Sequence, residues 1–205
     1  MSPGHGRGGS YRFERFPLGR PWCEAIRLDD GRGLLIRPIE PADAERLRAS
    51  FRELTPDEIR FRFFHPIKEL SPEFAKSLST LDPARAFALV VTEARPPAEA
   101  RIGAVARAAI DEEGTPGLLD GTGRSAEFAL TVGREIGGVG LGRYLLTRII
   151  EWCRKKRLEA VYGRVMVENE RMLSLARQLG FDCLEEPDAP GLVRVRLGLA
   201  SGRGP

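Results

Sequence analysis

From residue 23 onward the apolar positions fall into blocks whose spacing changes along the chain, and each change marks a new element. "CEAIRLDDGRGLLIRPI" (Cys23–Ile39) holds two apolar segments around DDGRG. Asp-Gly tolerates the positive dihedral angles of a tight turn, so two hairpin strands are expected. "PADAERLRASFREL" reads as a helix starting at Pro41. "TPDEIRFRFF" opens with Thr55 as cap, Pro56 in the first turn and Glu58 at the third helical position. In that pattern the cap and the glutamate each satisfy a free backbone N–H of the other. "SPEFAKSLSTL" repeats the Ser-Pro start at Ser71.

The period then shortens. "AFALVVTEA" (Ala86–Ala94), "ARIGAVARAAI" (Ala100–Ile110) and "SAEFALTV" (Ser125–Val132) read as consecutive antiparallel strands, with the Gly-rich, acidic stretch from Asp111 to Gly123 as a long loop. From Leu141 the apolar residues Leu145, Leu146, Ile149, Ile150 and Cys153 recur at helical spacing, which predicts a long helix with one face on a sheet. "LEAVYGRVMV" (Leu158–Val167) is a buried strand, and "NERMLSLARQLGF" a helix with Asn169 near its start and Gly180 as its stop. "DCLEEP" and "GLVRVRLGL" close the chain as strands. The sum is a mixed α/β sheet covered by helices on its faces.

With 205 residues, 42% of them hydrophobic, the chain supports one buried core. One domain is expected over residues 23–199, with a flexible basic leader at 1–22 and a flexible tail at 200–205. The net charge is +3, and the leader alone carries Arg7, Arg12, Arg15 and Arg20 against Glu14. The folded part is therefore nearly neutral, and without a basic stripe on a reading element nucleic acid is not an expected partner. No apolar run reaches the roughly 18 residues of a membrane span, and "MSPGHGRGGS" lacks the apolar centre of a secretory signal, so a cytoplasmic protein is expected. Cys23, Cys153 and Cys183 form no C-x-x-C pair, and His5 and His65 are the only histidines. Neither a disulfide framework nor a metal site is expected.

"REIGGVGLGRYLL" (Arg134–Leu146) places four glycines within six residues between a strand and a helix. Such a turn presents unpaired backbone N–H groups and the positive end of a helix dipole to an anion. Gly138, Gly140 and Gly142 let a phosphate approach the backbone without a side chain in the way. The loop lacks the Gly-Lys-Ser/Thr ending of a P-loop. It lies past the middle of the chain, after antiparallel strands, where a dinucleotide-binding turn is out of place. A different phosphate-bearing cofactor fits better.

Gly137-Gly138-Val139-Gly140-Leu141-Gly142, "LLIRPIEPADAERL" and "VENERMLSLARQLGFD" resemble the GNAT family of acyl-CoA-dependent N-acyltransferases over most of residues 23–199. More closely, "LLIRPI", "LTPDEIRFRFFHPIKELS" and "AEFALTV" resemble the acetyltransferase domain of Pat-type protein lysine acetyltransferases. The resemblance implies a mostly antiparallel central sheet flanked by helices, acetyl-CoA as cosubstrate and a protein lysine as acceptor. It implies that main-chain groups of Gly138, Val139, Gly140, Leu141 and Gly142, with Arg143 at the helix start, hold the cofactor diphosphate. It also implies that the strand 125–132 is distorted so that Leu130 and Val132 hold the pantetheine arm through their main chain, and that Asn169 contacts the cofactor. The competing reading of Asn169 is a helix cap. One departure is plain: Gly137 stands where the family has Gln or Arg.

Acylating an amine near pH 7 requires its free base, and a lysine with a pKa near 10.4 loses about 4–5 kcal/mol in reaching it. A positioned carboxylate supplies that function. Glu127, at the matching place in "AEFALTV", is the candidate general base, directly or through a water. Many relatives place a tyrosine seven residues after the asparagine to protonate the departing thiolate; here that position is Ala176, so no general acid is assigned. The acids in Asp111–Glu113 and Asp182–Asp188 either attract a cationic acceptor or form a solvated face. Two alternatives stand beside the lysine acetyltransferase: a small-amine N-acetyltransferase with the same chemistry, and an acyl-CoA-binding module without efficient turnover. Oligomeric state is not legible.

Overall fold

The structure is a computed structural model that describes residues 11–95, 100–112, 124–186 and 189–199. Its elements run β1 (Phe13–Pro17), β2 (Glu24–Leu28), β3 (Gly33–Pro38), a 3-10 turn (Pro41–Asp43), α1 (Ala44–Phe51), α2 (Pro56–Phe63) and α3 (Pro72–Ser79). They continue with β4 (Ala86–Glu93), β5 (Ile102–Ile110), β6 (Ser125–Val132), a 3-10 turn (Arg134–Ile136), α4 (Leu141–Lys155), β7 (Ala160–Met166), α5 (Glu170–Gln178), β8 (Asp182–Glu185) and β9 (Leu192–Gly198). One sheet contains all nine strands in the order β1-β2-β3-β4-β5-β6-β7-β9-β8. Its neighbours are antiparallel except β6 and β7, which are parallel. Among the described residues no helix is long and apolar enough to cross a membrane.

The alternation of each strand decides which helices cover which face. Leu89 and Val91 of β4 join Ala104, Ala106 and Ala108 of β5 against Leu145, Leu146, Ile149 and Cys153 of α4, with Leu173 and Ala176 of α5 in the same core. Alanine at three alternate positions of β5 keeps that face low, so α4 lies close to the sheet. Val90 and Ile102 point the other way, onto Leu47 and Phe51 of α1 and Ala75 of α3. β4 is buried on both faces from Ala88 to Thr92, which explains its unbroken apolar run.

Local signals act as the sequence expects in the three short helices. Thr55 accepts a hydrogen bond from the Glu58 N–H, and the Glu58 carboxylate accepts from the Thr55 N–H at 2.7 Å. Ser71 caps α3 through the Phe74 N–H at 3.1 Å. The 3-10 turn before α1 is fixed by Asp43, whose carboxylate receives both terminal nitrogens of Arg37 at 2.7 Å, Arg46 at 2.8 Å and the Glu40 N–H at 2.9 Å.

One expectation needs correction. The leader expected to be flexible is ordered at Phe13–Pro17, which pairs with Glu24–Leu28 as a largely exposed edge strand. The cause is aromatic burial. Phe13 is buried and stacks with Tyr11 and Tyr144, and Arg15 donates to the Tyr144 hydroxyl at 3.0 Å. Burial and the hydrogen bond to Glu24 push the Tyr144 phenol up to about 12, so it stays protonated and serves as a structural donor. Residues 1–10 and the tail 200–205 lie outside the described residues.

Candidate active site

β6 is laddered to β5 along its whole length, from Ala126↔Ile110 to Val132↔Ala104, without a register shift. Its ladder to β7 covers only Ser125↔Ala160, Ala126↔Val161 and Glu127↔Tyr162. Beyond Glu127 the two parallel strands part, and the edge of Phe128–Val132 that faces β7 has no ladder partner there. The distortion expected for this strand is therefore absent. The irregularity in the sheet lies instead between β4 and β5, at Val91/Thr92, and it is the divergence from β7 that exposes backbone on β6. Phe128 wedges the opening. A Cβ on Gly163 of β7 would come within 2.9 Å of the Phe128 ring, so glycine at 163 is what admits the ring.

A cleft of about 250 Å³ opens at this divergence. Glu127, Leu130 and Asn169 line it together, joined by Phe61, Arg62 and Phe63 of α2, Phe64 just past its end, Arg107 of β5, and Arg164 of β7. Glu127 points to the face that α2 covers, 38% of its side chain exposed, with its Oε1 3.6 Å from the Nε of Arg164. α2 ends beside the cleft, where Phe64 adopts a left-handed conformation, φ 64°, and stops the helix. Asn169 caps α5 by accepting the Met172 N–H at 3.1 Å, and the same residue borders the cleft, so the cap and the cleft position are compatible.

At the other end of β6, about 17 Å from Glu127 at a strand's rise per residue, lies the glycine loop. The Gly133 N–H donates to the Gly103 carbonyl at 2.8 Å, and one 3-10 turn follows. Gly138 has φ 77° and open space where a Cβ would stand. Gly140, with φ 89°, starts α4 with no side chain capping the first turn, so the first N–H groups of α4 lack a side-chain acceptor. The loop is held from behind: the Arg12 N–H donates to the Val139 carbonyl at 3.0 Å, and a Cβ on Gly140 would lie 3.1 Å from Tyr11. Gly142 serves packing more than access, since its Cβ direction meets Val132, Leu130 and Leu175 at 3.6–3.7 Å. Arg143 is engaged with Gln178 at 3.0 Å, a neutral partner that leaves its charge at the helix start. Gly137, with φ −75°, has a conformation open to any residue.

Ala176 is fully buried in the core with Leu173, and its methyl group offers no proton to a leaving thiolate. Tyr162, opposite Glu127 in the ladder, donates to Asp111 at 2.9 Å, and burial with that bond raises its pKa. Asp111 is itself buried, which removes it from the acidic surface expected at Asp111–Glu113. In the second acidic cluster Glu186 accepts from Arg194 at 2.6 Å and is not free to attract a partner. Glu113, Asp188 and the rest of 113–123 lie outside the described residues.

The arginines of the cleft are the residues that the sequence reading missed. Arg107 carried a signal, as the lone charge inside the apolar run "AVARAAI". Arg62 carried none, because "RFRFF" alternates without saying which face turns inward.

The chain matches the acetyltransferase (GNAT) domain family over residues 33–182. It is 32% identical over 181 residues to an acetyltransferase of Pseudomonas aeruginosa, covering 88% of this chain and 91% of that protein. Among solved structures it resembles the GNAT domain of S. lividans PAT with a TM-score of 0.74 at 24% identity, over 90% of this chain and 99% of that one. It resembles a GCN5-related N-acetyltransferase from Kribbella flavida with a TM-score of 0.61 at 24% identity, over 81% and 98% of the two chains. A cAMP-binding acyltransferase from Mycobacterium smegmatis matches with a TM-score of 0.54 at 20% identity, over 94% of this chain and 51% of that protein. Splayed parallel strands, a glycine loop at the start of the following helix, and a family match across both place this chain in the GNAT acetyltransferase family.

Proposed function

We propose that this chain transfers the acetyl group of acetyl-CoA to a primary amine by direct attack on the thioester, and that the amine is a protein lysine side chain. The observation that carries this reading is the placement of Glu127 where the β6–β7 ladder ends, with the glycine loop at the far end of the same strand. A cofactor whose diphosphate sits on one end of β6 lays its extended arm along the free edge and delivers the thioester towards the carboxylate.

In this mechanism the main-chain N–H groups of Gly138, Val139, Gly140, Leu141 and Gly142 bind the diphosphate, aided by the charge of Arg143 and the α4 dipole. Main-chain groups of Leu130 and Val132 hold the arm, and a donor from this edge polarises the thioester carbonyl. Asn169 borders the arm from the α5 side. Glu127 accepts the ammonium proton, directly or through a water, and the free nitrogen forms the C–N bond as the C–S bond breaks. The thiolate leaves with the electron pair. A thiol with a pKa near 8.5 is a tolerable leaving group near neutral pH, so no tyrosine is needed at 176.

The protein-lysine acceptor is supported by the Pat-like segments of the sequence and by an acceptor wall built from α2, which belongs to one of them. Release of CoA from acetyl-CoA, measured over a panel of lysine-bearing proteins, peptides and small amines, tests it. Turnover on proteins with lysine acetylation seen by mass spectrometry is expected. Turnover confined to small amines overturns the acceptor, and binding of acetyl-CoA with no turnover on any acceptor overturns the catalytic reading.

A further inference from the structure

Beside Glu127 the cleft holds three arginines, and only one of them is matched. Arg164 faces Glu127 at 3.6 Å. Arg62 and Arg107, both half-buried, have no carboxylate within ion-pair distance among the described residues. The Arg62 guanidinium lies over the Phe63 ring, 4.8 Å from its centre, and Arg107 makes one long contact of 3.4 Å to the Leu78 carbonyl. Burial lowers the pKa of both, and the charge of Arg107 lowers that of Arg62 further against the opposing pull of Glu127. Two like charges drawn partly out of water near one another without an anion are costly.

The same two side chains also border a second, larger cavity of about 460 Å³ between α1, α2 and the sheet, lined by Leu47, Phe51, Phe63 and Val105 among others. They stand at the junction of that space and the catalytic cleft, lining both. A purely cationic amine entering here meets two uncompensated positive charges and a single carboxylate, Glu127, that already faces Arg164 at 3.6 Å. A carboxylate accompanying the amine removes that repulsion and gives each guanidinium the charge-assisted partner it lacks.

We propose that Arg62 and Arg107 form an anion subsite for the acceptor, so that the preferred amine carries a carboxylate close to the nitrogen that Glu127 deprotonates. This deepens the proposed acetyl transfer and rests on it for the position of the amine. Either an acidic residue neighbouring a protein lysine or the carboxylate of a small amino acid supplies the group.

The test uses the full chain as wild type, Arg62→Met, Arg107→Met, the double variant and Arg62→Lys. Acceptors are offered in matched pairs: a peptide with Glu beside its lysine against the same peptide with Gln, and an α-amino acid against its decarboxylated amine. Wild type is expected to favour the carboxylate member of one pair by roughly 10–100-fold in kcat/KM. The preference disappears in the double variant with KM for acetyl-CoA unchanged, and Arg62→Lys retains part of it. A preference in the peptide pair identifies an acidic neighbour of lysine, and one in the amino-acid pair a small molecule. Equal use of both members by wild type overturns the subsite, as does a preference that survives the double substitution. An enzyme that favours succinyl-CoA over acetyl-CoA only while the two arginines are present also overturns it, because the anion then belongs to the acyl group. Should no acceptor turn over, the arginine Nε–H resonances of the acetyl-CoA-loaded protein decide, with glutarate and inorganic phosphate as probes. Saturable shifts at Arg62 and Arg107 support the subsite, and unchanged resonances overturn it without bearing on catalysis.

Discussion

Asp43 and Glu127 are both carboxylates facing arginine, and the structure treats them in opposite ways. Asp43 has no exposed surface and is filled on both oxygens by Arg37, Arg46 and the Glu40 N–H. Glu127 is open to its cleft and meets one arginine at 3.6 Å. A saturated carboxylate has no lone pair left for a substrate and fixes the chain around it. An unsaturated one at a cleft is free to take a proton. The difference is one of satisfaction, not of residue type, and it separates a corner that holds the fold from the site proposed here for proton transfer.

The sharpest break of this comparison comes from exchanging each carboxylate for its amide. Glu127→Gln is expected to lower kcat by roughly 10²–10⁴-fold while leaving thermal stability and acetyl-CoA affinity nearly unchanged. Steady-state kinetics with calorimetry read both, and wild-type turnover removes Glu127 from the mechanism. Asp43→Asn should do the reverse, costing about 3–5 kcal/mol in denaturant unfolding because Arg37 and Arg46, both largely shielded from water, lose the buried counter-charge they share. A loss below 1 kcal/mol would show that the corner is not held by this charge.

Acid sharpens the comparison further. Burial alone would raise the Asp43 pKa, but Arg37, the Glu40 N–H and Arg46 outweigh it and hold the group below its ordinary value of 3.8. A depressed folded-state pKa means stabilisation that is complete above the ordinary carboxyl range and lost as pH falls through the folded value. Unfolding free energy of the wild type should therefore drop below about pH 4, and that part of the drop should be absent in Asp43→Asn. An identical acid slope in the two proteins would contradict the assignment.

Smaller effects are expected at the loop. Gly140→Asp puts a side chain at φ 89° beside Tyr11 and a like charge near the diphosphate, and should weaken acetyl-CoA binding by roughly 10–100-fold. Gly137→Arg fits the backbone without strain at φ −75° and restores the cation of the family pattern. A tightening of about 3–10-fold by calorimetry is expected. Unaltered affinity in both variants would place the diphosphate elsewhere.

Most of the frame was legible because its signals are local. The Asp30-Gly31 turn, the Thr55–Glu58 box, Ser71-Pro72, the helical spacing from Leu141 and Gly180 each depend on residues a few positions apart. β1 was not legible, because the pattern in "YRFERF" is short, is broken by Pro17 and gains meaning only when Phe13 and Tyr11 meet Tyr144, more than 100 residues away in sequence. Glu127 and the glycine loop could be read from motif and resemblance. That Arg62, Arg107 and Arg164 share the cleft depends on three separate elements converging, and that Asp111 is buried depends on Tyr162 reaching it. Neither leaves a mark in any short window.

The most direct test of the account is a structure of the chain with acetyl-CoA bound. The diphosphate is expected on the main-chain N–H groups of Gly138–Gly142, the arm along the unpaired edge of Phe128–Val132, and the thioester in the cleft beside Glu127. A cofactor found away from the β6–β7 opening, or a thioester on the opposite face of the sheet from Glu127, would contradict it.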